Sequence, residues 1–235
     1  MNGDRAAGAF QIVLSVDAFG PDPDRYDIAQ FGAVLTDSQF TEKLSVNAGY
    51  CRPDRLEFDE AHMSAFGIRS AEQVTSRMAF WQRFPAAWAE FTAWAVRKTG
   101  LRSFEEVLET VPVCGWAPHT DLSLLEQACF RAGVDHPLRL WRVGEVHSLS
   151  SSIAEYERHM AQLGLVERVG STLEEVAESF GFRLKNLDDP VARCEGVRNA
   201  FRAFADGKKS TYEHAYAVIA SNARQSPRGP RPARR

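Results

Sequence analysis

The 235-residue chain has little cysteine, little net charge and no long apolar run. Its four cysteines, Cys51, Cys114, Cys129 and Cys194, are widely spaced and form no C-x-x-C pair. That excludes a zinc ribbon and a dithiol redox motif, and leaves buried thiols in a reducing compartment as the expectation. No stretch approaches the ~18 consecutive apolar residues of a membrane span. The opening residues, Met1-Asn-Gly-Asp-Arg-Ala-Ala-Gly8, lack the apolar centre of a signal peptide. A cytoplasmic, soluble protein with no membrane partner is expected. The formal net charge of −3 gives no global attraction to nucleic acid, so any such contact would depend on a local patch. No Gly-x-Ser-x-Gly elbow surrounds Ser148–Ser152, so His147 and these serines suggest no nucleophile pair.

The 44% hydrophobic content is enough for a full core. Residues 11–18 and 26–37 are runs rich in Val, Ile and Leu, separated by the turn signal Gly20-Pro21-Asp22-Pro23-Asp24, and a third strand is expected at 41–50. A short helix is expected from Asp59 to Gly67. Phe84, Trp88, Phe91 and Ala95 recur at helical spacing within 80–99, and Gly100 ends the pattern. This aromatic stripe reads as core. Val111–Trp116 reads as a buried strand, Asp121–Phe130 as a helix capped by Gly133, and 138–149 as carrying a further strand with Trp141 and Val143 on one side. Helices are expected over 152–163, over Thr172–Gly181, and from Asp188-Asp189-Pro190 through Phe204. A meander followed by alternating strands and helices indicates an α/β domain, a mixed central β-sheet flanked by helices. The expected organisation is a disordered N-terminus over 1–9, one domain over 10–206, a helical extension over 207–221 and a disordered Arg/Pro-rich tail over 222–235.

Two carboxylates stand at junctions where side chains can reach a cleft. Asp17 ends the first apolar run, Ile12–Val16, and Asp121 opens a helix after Trp116-Ala117-Pro118-His119-Thr120. Asp17 with Gly20-Pro21, the strand Gln30-Phe31-Gly32-Ala33-Val34, the segment His62 to Ile68, the motif Trp116 to Leu122 and the helix Leu173 to Phe182 occur in the order of the DEDDh (DnaQ-like) 3'-5' exonucleases. The chain resembles that family of the ribonuclease H-like superfamily over most of residues 11–205. The resemblance implies a ribonuclease H-like exonuclease fold and a site for Mg2+ or Mn2+, in which four carboxylates hold two divalent ions and a histidine takes a proton.

Asp17 and Asp121 match retained family positions, as metal ligands and catalytic carboxylates. The glutamate of the first motif is replaced by Phe19, or lost in a two-residue deletion if Gly20-Pro21 is the anchor. In the last motif Asp188 stands at the histidine position and Arg193 at the final aspartate. An arginine there would supply positive charge to an empty cation site. Asp188, Asp189 and Glu195, with Asp22, Asp24 and Glu145, are the carboxylates that could substitute, although turn and capping roles account for several of them. His119 could serve as a base or ligand, or simply sit at a helix end.

Three functions follow from the resemblance. The first is a nucleic-acid-binding protein, impaired or inactive as an exonuclease, whose partner is a 3' end or single strand. The second is an active metal-dependent exonuclease using substitute carboxylates. The third is a regulatory protein-interaction module without nucleic-acid contact.

Overall fold

In the computed structural model the described residues are 10–225, apart from 23, 55–56, 65–69, 78–79, 135–137, 139–140, 142–145, 163–167, 185 and 187. Six strands form one mixed sheet in the order β4-β3-β2-β1-β5-β6. Strands β1 (Phe10–Ala18), β2 (Ile28–Asp37) and β3 (Lys43–Arg52) make the expected antiparallel meander. The short strands β4 (Gln82–Arg83), β5 (Val113–Gly115) and β6 (Val146–Ser148) add in parallel at the two sides.

The period-2 alternation of the strands divides the core into two layers. On one face Leu14, Phe31 and Leu35 pack against helix α3 (Phe84–Thr99), helix α4 (Phe104–Thr110) and helix α5 (Pro118–Ala132). On the other, Val13, Val34 and Cys114 pack against α6 (Leu149–Gln162), α7 (Leu173–Ser179) and α8 (Pro190–Gln225). Two short helices, α1 (Glu60–Ser64) and α2 (Ala71–Arg77), lie between β3 and β4 in the chain. All four cysteines are buried thiols.

The helix signals act as their chemistry dictates. Helix α3 has a proline in its first turn and ends at Gly100, whose left-handed φ of 75° lets its N–H reach the Val96 carbonyl. Its stripe of Trp88, Phe91 and Trp94 is buried, and each such side chain contributes on the order of 2–3 kcal/mol. Helix α7 is opened by Thr172, which accepts from the Glu175 N–H, while the Glu175 carboxylate reaches back to the Ser171 N–H at 2.6 Å.

Four local expectations are corrected. The helix expected over 80–99 starts at Phe84, because Gln82 and Arg83 pair with Cys51 and Arg52 instead. Helix α4 was not expected between α3 and β5, nor α2 before β4. The strand within 138–149 is limited to Val146–Ser148 among the described residues. Trp141 is buried beside it, its indole N–H donating to the Val111 carbonyl at 3.1 Å, while Val143 lies outside the described residues.

Candidate functional site

The cleft lies at the C-terminal end of β1, bounded by the first turn of α5, the segment leading into α7 and the start of α8. It measures about 480 Å3 and is lined by Asp17, Asp121, Asp188, Arg193, Glu174 and Trp116 among others. The strands deliver Asp17 there through register. Asp17 lies opposite Gln30 on β2, and Ser15 opposite Gly32. Residues opposite one another share a face of the sheet. Gly32 leaves room for α8: a Cβ there would lie 2.4 Å from the Pro190 carbonyl carbon. This close approach sets the start of α8 on the sheet, with Arg193 in its first turn above Ser15 and Asp17.

Arg193 forms an ion pair with Asp17, and the side chains are only 15% and 11% exposed. Its Nε donates to the Ser15 hydroxyl at 3.2 Å. Burial lowers the Arg193 guanidinium to about 10, which leaves it charged at neutral pH. Asp17 also accepts from the Gln30 amide at 2.9 Å, and the same amide nitrogen donates to the Asp188 carbonyl at 2.8 Å. The Asp17 carboxylate is thus held by one full cation and one neutral donor.

Asp121 approaches from α5. Its Oδ1 accepts from the Val16 N–H at 3.3 Å, which fixes the helix start beside the end of β1. Burial pushes the Asp121 carboxyl up to about 7, opposed by that single hydrogen bond. A second anchor is the Trp116 carbonyl, which accepts from the hydroxyls of Ser148 at 3.2 Å and Ser150 at 2.8 Å. The serines therefore brace the wall of the cleft.

The structure brings Asp17, Asp121, Asp188 and Arg193 into one cleft. The other carboxylates named from the sequence point elsewhere. Asp189 accepts from the Val191 N–H at 2.9 Å, as a cap of α8. Glu195 is paired with Lys43 at 2.5 Å, at the surface. Asp22 accepts from the Asp24 N–H within the turn, and both are exposed. Glu145 lies outside the described residues, and His119 is exposed on the first turn of α5. Phe19 is wholly buried in a cluster with Tyr26, Ala29 and Met63.

Gln30 and Ser15 were missed from the sequence. A single amide in the otherwise apolar run Ile28–Leu35 is the signal that could have found Gln30, because a buried polar group needs partners.

The donor set does not fit a pair of divalent ions. Among the described residues there is no group of three or more His, Cys, Asp or Glu side chains that could hold a metal. The Asp17 carboxylate is already neutralised by Arg193, and no histidine lines the described cleft.

No protein-family model and no curated relative matches the sequence. Solved structures do match the fold. Exonuclease I from E. coli in complex with a dT13 oligonucleotide superposes with a TM-score of 0.62 at 15% identity, over 88% of this chain and 43% of that one. A moderately thermophilic exonuclease I from Methylocaldum szegediense gives 0.63 at 18% identity, over 89% and 43%. Cell-death related nuclease 4 gives 0.61 at 11% identity, over 85% and 64%. The chain spans less than half the length of the exonuclease I chains it matches. These likenesses establish the fold, that of the ribonuclease H-like 3'-5' exonucleases, with a six-stranded mixed sheet flanked by helices.

Proposed function

We propose that this chain is a DEDDh exonuclease-like module that binds the end of a single-stranded nucleic acid and does not hydrolyse it. The observation that carries the reading is the Arg193–Asp17 ion pair, which places a fixed monovalent cation against the carboxylate that the resemblance assigns to the metals. Hydrolysis by two metals needs converging carboxylates to hold the ions and a base to take the proton of the attacking water. Phe19 is buried in an apolar cluster, and among the described residues no three carboxylate, histidine or cysteine side chains are grouped closely enough to hold a metal.

Binding has different requirements. A guanidinium offers a planar fork of donors suited to phosphate oxygens, and it supplies charge without a metal. Arg193 compensates Asp17 without a divalent ion, so a phosphate at the floor of the cleft would meet a paired carboxylate there and not a bare one. Trp116 and Leu173 supply apolar wall area. The dT13 complex of E. coli exonuclease I shows that this fold accommodates a single strand in that protein.

The test is incubation of the purified chain with labelled single-stranded DNA and RNA in Mn2+, beside an Asp17→Ala, Asp121→Ala double variant. The expected result is no degradation, with strand binding that survives a chelator. Degradation by the natural sequence that vanishes in the double variant would overturn the reading and put Asp188 or Glu174 in a metal site, since both line the cleft.

A further inference from the structure

Large exposed hydrophobic side chains are few among the described residues: Val46, Tyr50, Phe80 and Phe130. The first three lie on β3 or directly before β4, at one edge of the sheet. Tyr50 is 37% exposed and Phe80 94% exposed. Trp81 follows Phe80 in the chain and packs against Tyr50, ring centroids 5.6 Å apart at an interplanar angle of 40°. Trp81 is anchored from beneath by the cluster of Phe19, Tyr26, Ala29 and Met63. The pair is therefore a supported surface, with Tyr50 open to solvent.

Register ties this surface to the cleft. Tyr50 lies opposite Gln30, and Gln30 lies opposite Asp17, so the three cross the sheet in one line on one face. Two strand spacings put Tyr50 about 10 Å from Asp17. The start of α8 passes between them, since Gln30 bonds the Asp188 carbonyl and the Asp189 charge, after burial, helps to raise the Tyr50 hydroxyl. Immediately beyond the aromatics, Arg52 and Arg83 face one another in the β3–β4 ladder, both exposed.

Packed rings beside exposed cations, on the same face of the sheet as an Arg-bearing cleft, have the composition of a surface for unpaired bases and their phosphates. We infer that Tyr50, Trp81 and Phe80 form a base-stacking platform for a single strand whose end lies in the Asp17–Arg193 cleft. The inference rests on the nucleic-acid-binding reading and gives that strand its direction, across the start of α8 toward the β3–β4 edge. Arg52 and Arg83 would neutralise phosphates of the nucleotides stacked there. A protein segment covering the same aromatics would have no need of an accompanying nucleic acid.

The test compares labelled dT13 with a strand of the same length and charge made of abasic residues, by fluorescence anisotropy in the presence of a chelator. Four proteins are used: the natural sequence, Tyr50→Ala, Tyr50→Phe and Phe80→Ala. Stacking is worth enough per base that the natural sequence is expected to bind dT13 about ten-fold or more tightly than the abasic strand. Tyr50→Ala and Phe80→Ala lose most of that preference, Tyr50→Phe keeps it, and abasic binding is the same in all four. Phe80 is so exposed that its replacement carries little folding risk, and it stands in if Tyr50→Ala is unstable.

Equal binding of both strands by the natural sequence overturns the platform and leaves the nucleic-acid reading intact. A preference for dT13 that survives both alanine variants also overturns it and moves the stacking to Trp116 in the cleft. Binding of neither strand overturns the nucleic-acid reading itself, and the platform with it.

Discussion

Arg193 and Asp17 are ion-paired at the floor of the cleft although 176 positions separate them in the chain, one in the first turn of α8 and the other at the end of β1. The pair is set up by backbone geometry: Gly32 admits Pro190 against the sheet, and the third residue after that contact is Arg193. Gln30 then donates to the Asp17 carboxylate, and the Ser15 hydroxyl accepts from the Arg193 Nε. A contact this shielded compensates Asp17 without a metal.

Removing the cation alone should be costly. Arg193→Ala leaves the Asp17 carboxylate shielded and held by Gln30 only, and breaking a buried pair from one side costs about 3 kcal/mol. Urea denaturation is expected to show that loss as a lower midpoint with an unchanged slope. Adding Asp17→Asn to the variant should recover most of it, because the orphaned charge is gone. A double variant as unstable as the single one would mean that Arg193 acts through packing.

Gly32→Ala tests what places the arginine. The added methyl would meet the carbonyl carbon and oxygen of Pro190 at 2.4 and 2.5 Å, and backbone atoms cannot rotate away as a side-chain tip could. Overpacking of this kind costs about 1–3 kcal/mol. The variant is expected to be destabilised and to show faster amide exchange in the first turn of α8. A neutral substitution would show that α8 can shift without cost.

How far the sequence foretold this site depends on how locally each part is specified. Asp17 and Asp121 could be placed because each ends or begins a segment with its own period, and both line the cleft. The stripe of α3 was legible as core for the same reason. Strand β4 was not, because two residues carry no period and Gln82 and Arg83 become a strand only by pairing with Cys51 and Arg52. Helix α4 did carry a signal: Ser103 caps it by accepting from the Glu106 N–H, a Ser-x-x-Glu pattern visible in the chain. Its seven residues are too few to display an apolar stripe. The partnership of Gln30 with both Asp17 and the Asp188 carbonyl is written in tertiary contacts alone.

Asp121 should leave a pH signature. Its carboxyl is raised by burial to about 7 in the folded chain, against an ordinary value near 3.8. The folded state therefore favours the protonated form, and its contribution to stability is fully present below about pH 4 and lost as pH rises toward 7. Asp121→Asn keeps an acceptor for the Val16 N–H and cannot ionise. It is expected to match the natural protein at pH 4 and to exceed it at pH 8 by on the order of 4 kcal/mol, the raise from 3.8 to about 7 taken at roughly 1.4 kcal/mol per pH unit. Parallel urea melts at the two pH values check this. A variant less stable at pH 8 would mean that the ionised carboxylate has a favourable partner in solution, such as a bound cation.

The sharpest prediction concerns Arg193→Asp. Exchanging the guanidinium for a carboxylate removes the cation that compensates Asp17 and adds a second oxygen ligand beside it, with Asp121 on the facing helix start. Mg2+ and Mn2+ bind through such hard oxygen donors. The natural protein is expected to keep its thermal midpoint when millimolar Mn2+ replaces a chelator, whereas the variant gains several degrees. An ion present at a hundred times its dissociation constant stabilises the folded state by about 2.7 kcal/mol. The variant should nevertheless stay inactive on labelled single strands, because Phe19 is buried where the resemblance calls for a glutamate and no histidine lines the described cleft. An equal Mn2+ shift in the natural protein would show that Arg193 does not hold the cation's place; hydrolysis by the variant would show that the lost final carboxylate was the sole defect.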